Sequence, residues 1–213
     1  MKLYGYFRSS AAFRLRIALA LKGLDYEPIF VHLREGAQFD PEYAALNPQH
    51  QVPTLIVDDR VLVQSPAILE WLEETHPTPP LLPADADGRA RVRAVAMAVG
   101  CDIHPINNLR VLRYLTGEMG LNESQMRRWY NHWIALGFAG IERMLAESPE
   151  TGDFCHGAVP TLADVYLVPQ VFNAKRFAAP LDDYPTLTRV FDNCMALDSF
   201  DQAQPAKQPD AEG

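Results

Sequence analysis

Apolar and polar residues follow two different patterns along the chain. Over the first 76 residues, short runs rich in β-branched and aromatic residues alternate with stretches of helical spacing. Strands are predicted at 3–7, 26–33, 53–57 and 60–63, and helices at 11–19, 41–46 and 65–75. Short strands and helices in alternation are typical of a layered α/β unit, and the pattern predicts one here.

Beyond residue 83 the spacing is helical throughout. Helices are predicted at 88–115, 123–146, 161–177 and 186–197, the first of them bent at Gly100 and Pro105. The proline-rich segment 77–83 is interpreted as a linker, and residues 202–213, which lack apolar content, are predicted to be a disordered tail. The predicted organisation is an α/β domain over 1–82 and an all-α domain over 83–213.

The composition argues against several classes of function. The 213 residues are 48% hydrophobic, which is enough for a folded core, and they carry a formal net charge of -8. A chain this acidic is a poor binder of nucleic acid or of anionic membranes, so an anionic ligand must meet a local cluster of arginines. No apolar run reaches the length of a membrane span, and Lys2 and Arg8 interrupt the N-terminal apolar residues, unlike a secretory signal.

Cysteine and histidine are too scattered for a disulfide framework or a metal site. The three cysteines (Cys101, Cys155 and Cys194) include no CxxC pair, and the six histidines form no ligand-spaced pair. This cysteine usage fits a reducing cytoplasm. The sequence therefore predicts a cytoplasmic protein without disulfides and without a bound metal.

The first predicted strand leads into Arg8-Ser9-Ser10, and the first predicted helix follows it. A guanidinium and two hydroxyls therefore lie beside the N–H groups of a helix start, which is a ready site for an anion. Helix capping is the structural interpretation, because serine is a common N-cap residue. A serine-hydrolase site is disfavoured, since the chain has no GxSxG elbow and nothing places a histidine near Ser9.

Two further segments of the α/β part could meet a ligand. Pro53 begins a predicted strand, and a cis Val52–Pro53 bond would turn the Val52 amide and carbonyl outward, where an extended peptide can pair with them. Gln64-Ser65 precedes a predicted helix, with Ser65 as the expected N-cap and Pro66 in the first helical position. Two helix starts and one open backbone edge suit a short acidic peptide; ordinary caps and a trans proline are the structural alternative.

The helical part carries a polar cluster, a capping box and a late arginine. His104-Pro105-Ile106-Asn107-Asn108-Leu109-Arg110 interrupts an amphipathic run, and its polar side chains line either a cleft or a solvated helix face. Thr161-Leu162-Ala163-Asp164 is a capping box and is interpreted as structural. Arg176, near the end of its predicted helix, could simply balance the helix dipole.

In this order, the segments resemble the glutathione S-transferase family over nearly the whole chain, from Met1 to about Phe200. The resemblance is greatest to its zeta class, whose marking segment is Arg8-Ser9-Ser10 running into Arg14-Leu15-Arg16-Ile17-Ala18-Leu19. The supporting matches are Asn47-Pro48, Gln51-Val52-Pro53-Thr54-Leu55, Gln64-Ser65-Pro66-Ala67-Ile68 and Asp102-Ile103-His104-Pro105-Ile106-Asn107-Asn108-Leu109-Arg110. The Thr161–Asp164 box occurs in glutathione transferases generally and marks only the superfamily.

The resemblance implies a thioredoxin-like N-terminal domain that binds glutathione, an all-α C-terminal domain that supplies the second-substrate pocket, and a homodimer. By resemblance, Gln64 and Ser65 hold the γ-glutamyl end of glutathione. The implied glutathione contacts are, in full, Ser9, Ser10, Ala11, Gln38, Val52, Gln64, Ser65, His104, Asn108 and Arg110. The implied catalytic residues are Ser9, Ser10, Arg8 and Arg176. Arg8, Arg110 and Arg176 match positions that face a dicarboxylate substrate, with Arg110 as the reserve.

One position departs from the zeta pattern. That pattern usually reads Ser-Ser-Cys, and here the third residue is Ala11, in an N-terminal domain without any cysteine. Glutaredoxin-like or dehydroascorbate-reducing chemistry needs a protein thiol at this place and is therefore disfavoured. Isomerisation is unaffected, because its nucleophile would be the sulfur of glutathione. Between the two serines, Ser9 is preferred because it is nearer the end of the strand.

The implied activity is glutathione-dependent cis–trans isomerisation of maleylacetoacetate by thiolate addition, bond rotation and elimination. Maleylpyruvate is the nearest alternative substrate. A second alternative is glutathione conjugation or dehalogenation of small α-halo acids, and a third is a non-catalytic module with the same fold. The last is disfavoured because Val52, Pro53, Gln64 and Ser65 are all present.

Overall fold

The computed structural model describes residues 1–211 and divides the chain into two units. The first unit comprises Met1–Leu81 together with the chain from Ala196 onward, and the second comprises Leu82–Met195. The division after residue 81 falls within the predicted linker, whereas the C-terminal residues belong to the first unit and not to the helical one. Of the predicted tail, Glu212 and Gly213 lie outside the described residues.

A sheet forms the centre of the first unit; over residues 1–211 it has four strands in the order β2-β1-β3-β4. The strands are β1 (Lys2–Gly5), β2 (Glu27–Phe30), β3 (Thr54–Val57) and β4 (Arg60–Val63). β1 is parallel to β2 and antiparallel to β3, and β3 and β4 form the predicted hairpin. The predicted α/β class is thus confirmed, although β1 is shorter than predicted because Tyr6 and Phe7 leave the ladder to turn toward the first helix.

The helices of the first 81 residues pack on this sheet. They are α1 (Ser10–Leu21), α2 (Pro41–Leu46) and α3 (Ser65–Thr75), with a 3₁₀ turn at Ala37–Phe39. α1 is buried along almost its whole length, so it lies in the core of the unit. A Cβ on Gly5 would lie 3.3 Å from the Cβ of Ala12, so glycine lets the end of β1 and the start of α1 approach closely.

A buried lysine ties the proline-rich segment to the first unit. Lys22 Nζ makes an ion pair with Glu73 at 2.8 Å and donates to the carbonyls of His76 at 2.7 Å and Pro79 at 3.0 Å. Glu73 in turn accepts a hydrogen bond from the Leu81 N–H at 3.0 Å. The first half of the predicted linker is therefore held in place by a buried ion pair, whose polar atoms are satisfied by backbone groups.

The second unit is helical, as predicted. Its helices are α4 (Ala86–Met97), a π-helix (Ala98–Ile103), α5 (Leu109–Gly117), α6 (Glu123–Ala146), α7 (Leu162–Arg176) and α8 (Pro185–Met195). The predicted single helix over 88–115 is wrong, because a π-helical turn and a break separate α4 from α5. The π turn contains Gly100, where a Cβ would lie 2.9 Å from Cε1 of Tyr166.

The predicted capping box is present at the start of α7. Asp164 is fully buried and accepts hydrogen bonds from the N–H groups of Thr161 and Cys155, both at 2.8 Å. Burial raises the pKa of the Asp164 carboxyl, and these donated hydrogen bonds oppose the rise. The box joins the loop before α7 to the helix, which agrees with its structural interpretation.

The C-terminal segment is folded as far as it is described, contrary to the disorder predicted from residue 202. It contains α9 (Asp198–Asp201) and a 3₁₀ turn (Pro205–Lys207). Ala203 is 6% exposed, and its carbonyl accepts a hydrogen bond from the buried Arg16 Nε at 2.8 Å. Composition underestimates this order because hydrogen bonds to a buried guanidinium, and not apolar area alone, hold the segment.

No helix of residues 1–211 combines the length and the apolar content that a membrane span requires. Within the same range, no cluster of histidine, cysteine and acidic residues is arranged to hold a metal ion.

Lys22→Met is expected to lower the free energy of unfolding by about 3–5 kcal/mol, because it leaves the Glu73 carboxylate buried without its cation. Lys2→Met is the matched control, since the Lys2–Glu27 pair spans 3.8 Å and its side chains are 53% and 58% exposed. The control should change stability by less than about 1 kcal/mol. Urea unfolding measures both, and equal losses in the two variants would contradict a structural role for the Lys22 pair.

Candidate active site

Ser9 is the N-cap residue of α1. Its backbone is extended, and its Oγ accepts a hydrogen bond from the Ala12 N–H at 3.2 Å. The structural interpretation of Ser9 is therefore correct. It does not exclude the chemical one, because a hydroxyl that accepts one hydrogen bond keeps its own proton to donate.

Burial distinguishes the two serines of the junction. Ser9 is half-buried, whereas Ser10 is the first residue of α1 and is 5% exposed. Ala11 is half-buried in the first turn, where helix geometry provides no intrahelical acceptor for an N–H group. The positive end of the helix dipole therefore coincides with the more accessible of the two hydroxyls.

Arg8 lies in the turn before the cap. Its guanidinium is 4.7 Å from the centroid of the Phe7 ring, and its side chain is half-buried. The Ser9 N–H donates to the Tyr6 carbonyl at 2.9 Å, which closes the turn around Phe7 and Arg8. A cation, a hydroxyl and a helix start thus lie on consecutive residues.

Two polar side chains, Tyr43 in α2 and Asn47 directly after it, hold the loop before β3 by hydrogen bonds. The Tyr43 hydroxyl donates to the Gln51 carbonyl and lies 3.0 Å from Thr54 Oγ1. Asn47 Nδ2 donates to the same two oxygens at 2.8 and 3.1 Å. Burial raises the pKa of the Tyr43 phenol, so it remains a neutral donor at physiological pH.

Val52 lies within this clamped loop, and over residues 1–211 no strand residue is paired with it. The Val52–Pro53 bond is cis, the isomer considered from the sequence, and the last register pair of β1 with β3 is Tyr4–Thr54. Val52 also belongs to an apolar cluster with Tyr6 and Phe7. The cluster therefore brings the loop of Val52 next to the segment that leads into Arg8.

The start of α3 differs from the prediction by one residue. Gln64, not Ser65, is the N-cap residue, with φ 70° and ψ 113°. Ser65 is the first helical residue, 4% exposed, and its Oγ accepts a hydrogen bond from Arg14 Nη1 at 3.3 Å. The expected cap is displaced because the buried Arg14 of α1 takes the hydroxyl as its acceptor.

Gln64 has a positive φ, which is uncommon at a residue other than glycine and often marks a functional position. The Gln64 side chain is exposed and donates to Gln49 Oε1 at 2.6 Å.

The site residues that sequence reasoning missed are Arg14, Tyr43 and Gln49. Only Arg14 left a signal, as a charged residue within a helix whose neighbours are apolar.

Gln38 is a buried amide in the 3₁₀ turn before α2. It is 5% exposed, and its side-chain Oε1 has no hydrogen-bond partner within residues 1–211. His50 Nδ1 lies 3.1 Å from the Gln38 carbonyl oxygen, and the His50 ring is 5.2 Å from that of Phe39. A buried acceptor without a donor is costly, so this amide fits a ligand that supplies an N–H group.

The polar cluster of the second unit is a helix start. Asn108 is the N-cap of α5; its Oδ1 accepts from the Arg110 N–H at 3.1 Å, and its Nδ2 lies 3.4 Å from His104 Nε2. His104 is half-buried and Arg110 is exposed. Capping thus explains part of the cluster, while the Arg110 guanidinium faces solvent within this unit.

Arg176 ends α7 and is exposed. Its guanidinium lies 4.7 Å from the Phe177 ring, which stacks on Tyr130 at 4.0 Å. Burial raises the pKa of the Tyr130 phenol, and the charge of Arg176 opposes this rise. Asn107 Nδ2 donates to the Tyr130 carbonyl at 3.3 Å, so the start of α5 and the end of α7 both adjoin this tyrosine.

The two buried cysteines lie away from any reactive environment. Cys155 is fully buried, and its backbone N–H donates to Asp164. Burial and the charge of Asp164 raise the pKa of both Cys155 and Cys194, so neither is a thiolate at neutral pH. Cys101 is exposed.

The comparisons with known proteins identify relatives over the whole chain. The family model for the glutathione S-transferase N-terminal domain matches residues 1–74. Maleylpyruvate isomerase of Ralstonia sp. is 53% identical over 211 residues, covering 99% of this chain and 100% of the relative. Maleylacetoacetate isomerase of Pseudomonas aeruginosa is 50% identical over 213 residues, covering 99% and 98%.

Two solved structures share the fold of this chain. One is described as a zeta-class enzyme, and the other contains bound ligands. The holo structure of maleyl pyruvate isomerase, described as a bacterial glutathione S-transferase of the zeta class, superposes with a TM-score of 0.98 at 53% identity and covers 100% of both chains. Maleylacetoacetate isomerase of Anaeromyxobacter dehalogenans, with dicarboxyethyl glutathione and citrate in its active site, gives a TM-score of 0.88 at 48% identity, covering 99% and 93%. With half of its residues identical to such relatives from end to end, the chain belongs to the zeta class of the glutathione S-transferase family.

Proposed function

We propose that this protein is a glutathione-dependent cis–trans isomerase of a small conjugated dicarboxylate, with maleylacetoacetate as the first candidate substrate. The observation that carries the proposal is the half-buried Ser9 hydroxyl at the N-terminus of α1, in a chain whose relatives at about 50% identity are isomerases of this kind. We also expect a cytoplasmic homodimer, as the family resemblance implies.

The residues of the first unit fit glutathione. The α3 start at Gln64 and Ser65 suits the charged γ-glutamyl end, because the N-terminus of a helix attracts a carboxylate. The backbone of Val52 lies beyond the strand pairing and suits the extended cysteinyl segment. The buried Oε1 of Gln38, which has no hydrogen-bond partner within residues 1–211, suits an N–H group of the peptide. His104 and Asn108 remain expected contacts from the second unit.

Bound glutathione supplies a sulfur nucleophile that adds to a conjugated double bond and later leaves it, so that the bond can rotate in between. The role of the protein is to keep that sulfur ionised near neutral pH. A free thiol has a pKa of about 8.5, and lowering it by two units requires about 2.7 kcal/mol. A helix N-terminus contributes about 0.3–1 kcal/mol, and a hydrogen bond to a charged group about 1.5–3 kcal/mol.

Ser9 and the start of α1 are therefore sufficient without a general base. The serine already accepts from Ala12, so its proton is the part of the group available to the sulfur. Ser10 is less suited to this role because its side chain is buried.

Arginines are the proposed partners of the substrate carboxylates. The planar guanidinium binds both oxygens of a carboxylate, which a lysine ammonium does not do. Arg8 and Arg176 are the first candidates and Arg110 is the reserve. These local cations are needed because the chain as a whole carries a net charge of -8 and repels anions.

Maleylpyruvate is a second candidate substrate, favoured by the 53% identity to the Ralstonia isomerase that is named for it. The two substrates differ by a single methylene, and one methylene changes binding by only about 1–3 kcal/mol.

Supplying each substrate separately, with and without glutathione, tests the function. We expect isomerisation that needs glutathione only in catalytic amount, because the thiol is released in each cycle. Absorbance spectroscopy of the cis substrate and the trans product measures it. S-methylglutathione is the matched control and should support no turnover. Isomerisation without glutathione would overturn the proposal, and stoichiometric consumption of glutathione with α-halo acids would instead indicate conjugation.

Ser9→Ala should raise the pKa of the bound glutathione thiol by about one to two units and lower kcat/KM at neutral pH by about tenfold or more, because a hydrogen bond to the thiolate is lost. Ultraviolet absorbance of the thiolate against pH measures the shift. Ser9→Thr keeps a hydroxyl and a cap and should retain the low pKa; Ser10→Ala is the second control. If Ser9→Ala leaves the pKa unchanged, the hydroxyl does not activate the thiol.

Arg176→Lys should lower kcat/KM for the dicarboxylate by about tenfold while leaving the Kd of glutathione unchanged, since lysine keeps the charge but loses the two-point contact. Arg143→Lys is the matched control, because Arg143 is exposed on α6 and pairs locally with Glu147 at 2.8 Å. Steady-state kinetics on both variants decide the matter, and identical values would remove Arg176 from the substrate pocket.

A further inference from the structure

The peptide group on each side of Phe7 is held by a charged side chain. The Phe7 N–H donates to Asp210 Oδ2 at 3.0 Å, and the Phe7 carbonyl accepts from Arg16 Nη2 at 3.1 Å. Phe7 immediately precedes Arg8 and Ser9. The approach to the proposed catalytic turn is therefore fixed by one residue of α1 and by one residue close to the C-terminus.

Arg16 joins these two partners. It is 6% exposed, and its Nε donates to the Ala203 carbonyl at 2.8 Å while Nη2 holds Phe7. Burial lowers the pKa of Arg16 to about 10, while the charges of Tyr26 and Asp210 oppose the change, so the guanidinium is protonated at neutral pH. One buried cation thus ties the C-terminal segment to the turn that follows β1.

The C-terminal segment is itself a built element. The Asp201 carboxylate accepts from Gln204 Nε2 at 2.6 Å and pairs with Lys207. Gln208 Nε2 donates to the Gln202 and Gln204 carbonyls at 2.9 and 3.0 Å. These contacts give Asp210 a defined position relative to α9.

The end of the segment also packs on the site. Ala211 contacts the apolar cluster that contains Phe7 and Val52. Asp210 therefore reaches Phe7 from a segment that is anchored at Ala203 and again at Ala211. We call residues 198–211 the C-terminal strap.

We propose that the C-terminal strap is a positioning element of the thiol site. Asp210 of the strap and Arg16 of α1 fix the two peptide groups that flank Phe7 and thereby orient the Ser9 hydroxyl. This inference rests on the proposed function of Ser9. The hydrogen bond from the Ser9 N–H to the Tyr6 carbonyl closes the turn around Phe7 and Arg8. A rotation of either peptide group beside Phe7 therefore changes the orientation of the whole turn. A misplacement of about 1 Å can reduce a catalytic rate by about a hundredfold.

Asp210→Ala in the full chain tests the inference. The variant leaves the buried Phe7 N–H without its acceptor, and the turn relaxes. We expect the pKa of bound glutathione to rise by about one unit and kcat at neutral pH to fall by about tenfold, with much of the loss recovered at high pH. The Kd of glutathione should stay within about twofold, because Asp210 is not itself one of the proposed glutathione contacts.

Two further variants serve as controls for Asp210→Ala. Asp210→Asn keeps an acceptor oxygen and should retain most of the wild-type pKa and turnover. Asp59→Ala removes an exposed acid in the β3–β4 turn and should behave as wild type. Amide exchange over residues 7–10 should be faster in Asp210→Ala than in Asp59→Ala, a measurement that needs no glutathione.

An unchanged thiol pKa in Asp210→Ala would overturn the inference, as would a loss of kcat that is equal at all pH values and follows a loss of folded protein. Unchanged amide exchange would overturn it as well. The proposed function fails differently: the wild type then forms no thiolate with glutathione, or Ser9→Ala has no effect, whatever the exchange measurement shows.

Discussion

Hydrogen bonds from two buried arginines of α1 hold the proposed glutathione site together. Arg14, 2% exposed, donates to Ser65, the first residue of α3, and Arg16 donates to the Phe7 carbonyl in the turn that follows β1. A helix with this much burial would ordinarily be apolar, since an ionised group in the interior is costly. α1 thus acts as the scaffold from which both helix N-termini of the site are set.

This arrangement explains why the chemistry can depend on so few groups. A thiolate needs a positive potential and one well-aimed donor, and the start of α1 supplies both within the first turn. Because the surroundings are fixed by buried hydrogen bonds, little reorganisation is needed when charge develops on the sulfur. The absence of a cysteine at Ala11 leaves the serine hydroxyl without a competing protein thiol in the described part of the first unit.

Periodicity predicted what depends on local sequence. The α6 span of 123–146 and the α2 and α3 spans of 41–46 and 65–75 agree with the structure residue for residue. A capping box starts α6, and a proline lies in the first turn of α2 and of α3. The zeta-class resemblance pointed to the Ser9 junction from sequence motifs alone. These features need no knowledge of distant contacts.

Two of the errors arise from tertiary contacts. Ser65 was expected to be a cap, but Arg14, 51 residues away, takes its hydroxyl. The tail was expected to be disordered, but Arg16 binds its carbonyl from 187 residues away. Composition and spacing carry no record of such partners. The helix over 88–115 was expected to bend at Gly100 and Pro105, but a π-helical turn and a break divide it into α4 and α5.

The distribution of sulfur in the chain has a further consequence. All three cysteines lie in the second unit, and two of them are buried with raised pKa values. Electrophiles and peroxides that attack thiolates therefore find no protein thiol within the first unit, to which Ser9 belongs. Under oxidative stress the proposed activity would follow the supply of reduced glutathione in the cell, and it would return when that pool is restored, without repair of the polypeptide.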